Sequence, residues 1–306
     1  MNDSNYFELA QLAEAAYADL WDDATGRVIT SNSRVIEALQ SVGFSPSQAT
    51  ELTSNWQIVS GSHQANTESG YSSTLFKNTD GSYVLAFRGT ESNTAEDLDA
   101  DIRGIVGNGL ALKQIVDLYN EWQHITAAQG ASYNAAHLSY LATESTAYTE
   151  AMLKLADPDP DIRAFAQEAI DALKARTDVV FDGTAAYTIE YVDSATLFTD
   201  ERATGLGLAG DIAAHGLTVT GHSLGGHLAT AFTRLFPETG ASALTVNGAG
   251  CHTTTSMLSG RASNNFSNRF PTLGGSSNFG ADHARSPKHF YQYGLMAPFS
   301  PTRSAY

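Results

Sequence analysis

Residues 218 to 230 read TVTGHSLGGHLAT, with Ser223 at the centre, Gly221 two residues before it and Gly225 two after. A serine hydroxyl attacks an acyl carbon only when a base can take its proton and donors await the oxyanion that forms. The pattern G-x-S-x-G is short and arises by chance in many chains, so its flanks decide what it means. Here a β-branched run, LTVT at 217 to 220, leads straight into the glycines and then into an apolar stretch from Leu224 to Phe236. A strand that turns abruptly into a helix lifts its central serine above the sheet, and the glycines remove side chains that would strike neighbouring backbone. The helix that follows aims free amides at the same point, so Leu224 N–H is a candidate oxyanion donor. The bland alternative is a glycine-rich turn closing an ordinary βα unit; the strand before and the helix after favour a nucleophile.

A second stretch, Tyr83 to Thr90, reads YVLAFRGT, a strand ending in Arg88-Gly89-Thr90. Together with GHSLGG, and in that order, it resembles the class 3 lipases, the fungal triacylglycerol-lipase-like family of α/β-hydrolases. The similarity covers about residues 55 to 250 and includes the acidic EDLDAD that follows FRGTES. The resemblance implies that Thr90 supplies the second oxyanion donor through hydroxyl and amide. It also implies an α/β-hydrolase fold and a serine ester hydrolase, a lipase or carboxylesterase that cleaves acyl esters of lipids through an acyl-enzyme. The amino-terminal helices look like the lipase part of longer bacterial secreted lipases with calcium-binding repeats, but no glycine-aspartate nonapeptide occurs here.

The base and the acid that orients it are expected after the serine, acid first. Beyond Ser223 the only acids are Glu238, at a helix end, and Asp282. Asp282 is the candidate acid. His222 and His227 read as scaffold beside the nucleophile, His252 precedes the acid, and His283 adjoins it, so that a shared strand would point the two apart. His289 is left as the candidate base. A histidine from a second subunit, or none, stays open, since the family's histidine usually lies in a later segment of its own.

Those residues need elements to hold them. Leu9, Leu12, Ala13 and Ala16 share a helical face, and Val35, Ile36 and Leu39 suggest a second short helix. Two β-rich runs flank the turn cluster Asn78 to Gly81, which predicts a hairpin. Residues 110 to 176 show helical spacing at Ile115, Leu118, Trp122 and Ile125 and again from Ile162 to Leu173, predicting an all-helical insertion, either a lid over the acyl pocket or plain scaffold. Its aromatics Tyr119, Trp122 and Phe165 read as core. After it, short apolar strands alternate with helices, which predicts an α/β chain with a mostly parallel sheet covered by helices. Residues 1–306 are expected to form one domain, with an irregular segment over 252–306 that is either a domain cut short or a ligand-binding loop region.

Composition limits the partners. The chain of 306 residues carries a formal charge of −16, concentrated as −20 before residue 239 and +4 after it. Long-range repulsion disfavours nucleic acid and bare anionic membrane, so the expected ligand is a neutral or apolar ester, with transient contact at a lipid interface. One cysteine, Cys251, rules out an internal disulfide. No signal peptide or transmembrane run is evident, so the chain is expected to be soluble, cytoplasmic or secreted by a non-classical route. Ester hydrolysis by serine requires no cofactor; the DPDPD cluster at 157 to 161 could hold calcium through its carboxylates, and a solvated helix start is the simpler reading. The rival functions are a catalytically impaired hydrolase-like binding protein, or a phospholipase or acyltransferase built on the same serine.

Overall fold

The computed structural model describes residues 3–89 and 111–248, and the backbone of 288–290. The amino-terminal layer comprises α1 (Asp3–Ala15), a two-stranded ribbon of β1 (Trp21–Asp22) and β2 (Arg27–Val28), α2 (Asn32–Ser41) and α3 (Pro46–Asn55). Helix α3 was not evident from apolar spacing. Its signal is a capping box: Ser45 and Gln48 exchange side-chain and backbone bonds, with Pro46 at the first helical position.

The main sheet follows with β3 (Trp56–Gln64), β4 (Ser73–Asn78) and β5 (Tyr83–Phe87), then β9 (Leu217–His222), β10 (Ser242–Val246) and β11 (Lys288–Phe290). Its spatial order is β11-β10-β9-β5-β4-β3. Strands β5, β9, β10 and β11 run parallel, while β4 and β3 are antiparallel additions, the expected hairpin among them. The chain is therefore α/β, with a mixed sheet.

Both faces of this sheet are buried, and the alternation along β5 shows how. Tyr83, Leu85 and Phe87 join one core with Val219, Leu228 and Phe232, whereas Val84 and Ala86 join Leu9, Leu12, Leu39 and Leu244 on the other. The first core is roofed by α4 (Leu112–Thr126) and α9 (Leu224–Leu235); the second lies under α1, α2 and α3.

Residues 110–176 are not helical throughout. Between α4 and the pair α5 (Ala142–Lys154) and α6 (Pro160–Ala175) lies β6 (Asn134–Tyr140). It joins a second sheet, ordered β6-β8-β7, with β7 (Val180–Asp182) and β8 (Ala185–Asp193). The sequence NAAHLSY is too short and weakly apolar to betray a strand by period, and its pairing with β8, from Asn134↔Asp193 to Tyr140↔Tyr187, is a long-range contact. Tyr119 and Trp122 are core, as expected, but Phe165 is 69% exposed. In α6 the buried stripe is Ala166 and Ile170, which leaves Phe165 on the far side. At the DPDPD turn, Asp159 caps α6 by accepting from Asp161 N–H at 2.8 Å, the helix-start role. Two short elements, α7 (Ser194–Leu197) and α8 (Ala209–His215), lead back to β9.

Candidate active site

Strand β9 lies between β5 and β10, with Phe87 paired to Gly221 and Val246 to His222. Ser223 continues the pairing by donating its N–H to Val246 O at 3.0 Å. There the backbone turns sharply: Ser223 has φ 55 and ψ −121, one of two non-glycine residues with positive φ among those described. A side chain held in this sparsely occupied region costs of order 1–3 kcal/mol, and such strain collects at functional sites. The turn hands the chain to α9, whose first bonds return to Ser223, from Gly226 N–H at 3.0 Å and His227 N–H at 3.4 Å. The Ser223 hydroxyl makes no capping bond to that helix and is half-buried.

The glycines permit this turn by close approach. A methyl group on Gly221 would fall on the carbonyl of Gly225, and one on Gly225 on the carbonyl of Phe87. Gly226 is pressed against Gly248 in the same way, 2.6 Å from its Cα to the position a Cβ would take. Helix α9 thus starts in contact with the carboxyl ends of β5, β9 and β10. Its amide of Leu224 is the first of the helix, at the positive end of the macrodipole and adjoining Ser223.

The end of β5 is packed onto the serine. A Cβ built on Gly89 would lie 3.3 Å from Ser223 Cβ, as well as against His222 O and the Tyr17 hydroxyl. Thr90, the next residue and the second expected oxyanion donor, lies outside the described residues, as does Asp282. His289 sits on β11, paired in register with Thr245, which in turn pairs with Gly221. Two strand spacings put its backbone roughly 10 Å from that of Gly221, in a row two residues before Ser223.

His222 and His227 are each contacted from another part of the chain. Tyr17, just beyond α1, reaches His222 Nδ1 with its hydroxyl at 3.1 Å. His227 is wholly buried, its Nε2 receiving the N–H of Ala111 at 3.5 Å at the start of α4. Among the described residues no histidine is hydrogen-bonded to the Ser223 hydroxyl.

No family model, curated protein or solved structure matches this chain.

Two features near the sheet went unseen in the sequence. His63 on β3 bonds Thr74 Oγ1 through Nδ1 at 2.8 Å, and burial, with the nearby Arg88 charge, lowers its pKa to about 4. The tie between Tyr17 and His222 spans 205 positions, a distance no local pattern bridges. A cavity of about 250 Å3 is lined by Leu39, Trp56 and Phe76 under α2 and α3. Phe76 pairs with Val84, which pairs with Thr218, so this cavity lies toward the opposite end of β9 from Ser223. No group of three or more His, Cys, Asp or Glu suited to a metal occurs among the described residues, nor does a helix long and apolar enough to cross a membrane.

Proposed function

We propose that the protein is a serine ester hydrolase of α/β-hydrolase type, acting on neutral acyl esters of lipids. The observation that carries this reading is the strained, half-buried Ser223 at the carboxyl end of a central parallel strand, with a helix start on one side and Gly89 on the other. A turn that existed only to close a βα unit would place glycine at φ 55, where it costs nothing. A hydroxyl kept there at a cost in stability is one the chain uses.

In this reading Ser223 Oγ attacks the ester carbonyl and passes its proton to a base. The carbonyl oxygen becomes an anion held by the Leu224 amide and by Thr90, the residue following Gly89. Collapse expels the alcohol, which takes a proton from the same base, and leaves an acyl-serine. Water then attacks the acyl carbon by the reverse proton path and releases the acid. Asp282 and His289 are the proposed acid and base; the sequence order supports them, together with the placement of His289 on the sheet edge beside β10. The net charge of −16 favours neutral substrates over anionic ones.

Labelling with a fluorophosphonate ester, followed by mass spectrometry of the modified peptide, tests nucleophile and base together, because a serine without its base reacts slowly. Modification at Ser223, with loss of chromogenic ester hydrolysis in Ser223→Ala, is the expected result. A folded wild type inert to the probe and to short and long acyl esters would leave a binding protein built on the same frame.

A further inference from the structure

Tyr17 stands just beyond α1, in a tight turn where its own N–H meets Glu14 O at 3.0 Å and the N–H of Ala18 meets Ala15 O at 3.1 Å. The helix before it is locked to the sheet. Leu12, Ala15 and Ala16 are buried in the second core, and Leu9 O accepts the Thr220 hydroxyl. The turn carries a half-buried phenol ring to the carboxyl ends of β5 and β9, where its hydroxyl meets both segments. On β9 it lies 3.1 Å from Nδ1 of His222, the residue before Ser223. Beyond β5 it fills the side of Gly89 from which a Cβ would project, and that same point is 2.6 Å from His222 O and 3.3 Å from Ser223 Cβ. A single carbon atom would bridge the phenol oxygen and the Ser223 side chain.

Packing does not call for that oxygen. Phenylalanine would fill the turn with the same ring, and taking a hydroxyl out of water requires a partner to offset the loss. The partner here is the histidine beside the proposed nucleophile. In the proposed reaction the oxyanion donors come from two sides, the Leu224 amide from α9 and Thr90, which follows Gly89, from β5. The ladder between β5 and β9 ends at the pair Phe87 and Gly221, before either donor, so the spacing of the donors depends on contacts beyond the ladder. Tyr17 makes such contacts with both segments. Donors act only when held close to the geometry of the developing charge, and a displacement of about 1 Å can cost about a hundredfold in rate.

We propose that Tyr17 is a positioning residue for ester hydrolysis: its hydroxyl, held by His222, sets the gap between Gly89 and Ser223 and with it the width of the oxyanion site. The proposal rests on the reading of Ser223 as nucleophile. The hydroxyl transfers no proton and binds no substrate in this role; it acts through the backbone of Gly89 and His222. Its loss therefore lowers turnover without weakening substrate binding.

The test compares kcat and KM for a chromogenic short-chain ester, and the rate constant of fluorophosphonate labelling, in wild type, Tyr17→Phe, His222→Leu and His222→Asn, each well below its melting temperature. Tyr17→Phe is expected to lower kcat and the labelling rate together by about ten- to a hundredfold, with KM within about twofold of wild type. His222→Leu should match it, and His222→Asn, whose side-chain amide stands where Nδ1 stands, should exceed the leucine variant about tenfold in kcat. Adding Tyr17→Phe to His222→Leu should cost no further activity, since each change removes the same bond. A folded Tyr17→Phe with wild-type kcat overturns the proposal, as does a rise in KM alone, the mark of a substrate contact. With wild type active and Ser223→Ala inactive, either result leaves the nucleophile reading standing. An inert wild type overturns both. Should Tyr17→Phe fail to fold, the two His222 variants decide: equal kcat refutes the proposal, and recovery in the asparagine variant supports it.

Discussion

Two substitutions at one atom separate strain from chemistry at the elbow. Ser223 is held at φ 55, ψ −121, where any residue with a Cβ pays on the order of 1–3 kcal/mol. Ser223→Ala removes the hydroxyl and keeps that cost. Ser223→Gly removes both, and glycine's extra freedom in the unfolded chain takes back about 0.4–1 kcal/mol. The hydroxyl caps nothing in α9, so its loss subtracts little in either variant. The glycine variant should therefore be the more stable by about 1 kcal/mol, which for a chain of this size is roughly 2–4 °C in Tm. Urea unfolding of the three proteins, compared at constant m-value, measures the difference. Hydrolysis of a chromogenic ester should vanish in both variants. An alanine variant equal to or more stable than the glycine variant would refute the strain argument, and activity surviving in either would refute the nucleophile.

Other perturbations follow from the same geometry. Gly225→Ala drives a methyl group into the Phe87 carbonyl, and because backbone cannot step aside, it should cost about 3 kcal/mol by denaturant unfolding and abolish activity with it. Tyr17→Phe deletes the 3.1 Å bond to His222 while keeping the ring, lowering stability by about 1 kcal/mol in thermal melts. Asp159→Ala removes the cap of α6 and should cost about 1 kcal/mol, while Asp161→Ala, whose carboxylate caps no helix end, should cost less; calcium should not change either result. Glu121, whose carboxyl pKa is pushed by burial from 4.5 up to about 7, binds its proton more tightly in the native state. Its contribution is fully present below pH 4.5 and is lost as pH rises to 7, a fall of about 3 kcal/mol that Glu121→Gln should flatten. His63, lowered from 6.5 to about 4, has the opposite slope, with stability present above pH 6.5 and lost as pH falls toward 4; His63→Asn should remove that loss in pH-dependent melts.

Local structure was legible and long-range pairing was not. The strand–elbow–helix around Ser223 is written in LTVT, in the two flanking glycines and in Leu224, Leu228, Phe232 and Leu235, all within one short window. The β4–β5 hairpin was equally local, fixed by Asn78 to Gly81. Strand β6 escaped because its identity depends on β8, some fifty positions later, and not on its own pattern. Phe165 escaped because a helix with a narrow buried stripe leaves apolar residues outside as readily as in, and spacing alone does not say which face is covered. Nothing in the local sequence sets Glu121 apart from the other acids of the chain. Only the fold shows that α4 is buried around most of its circumference, with Asn120, Glu121, Trp122 and His124 enclosed together.

The amino-terminal helix gives the elbow a brace that the alternation of strands and helices did not reveal. Thr220, three residues before Ser223, donates its hydroxyl to Leu9 O at 3.1 Å, and Tyr17 holds His222 next to the serine. The same tyrosine hydroxyl occupies the space that a side chain on Gly89 would need, so it touches both strand ends between which an oxyanion would form. Strain at Ser223 persists only if the surroundings over-determine it. On one side that constraint comes from the glycine contacts of α9 with β5 and β10, and on the other from α1. A serine placed by one strand alone could relax toward an ordinary turn; one clamped between a helix start and a helix end cannot, and its hydroxyl stays where the adjoining helix amides would meet the charge that the proposed attack would create.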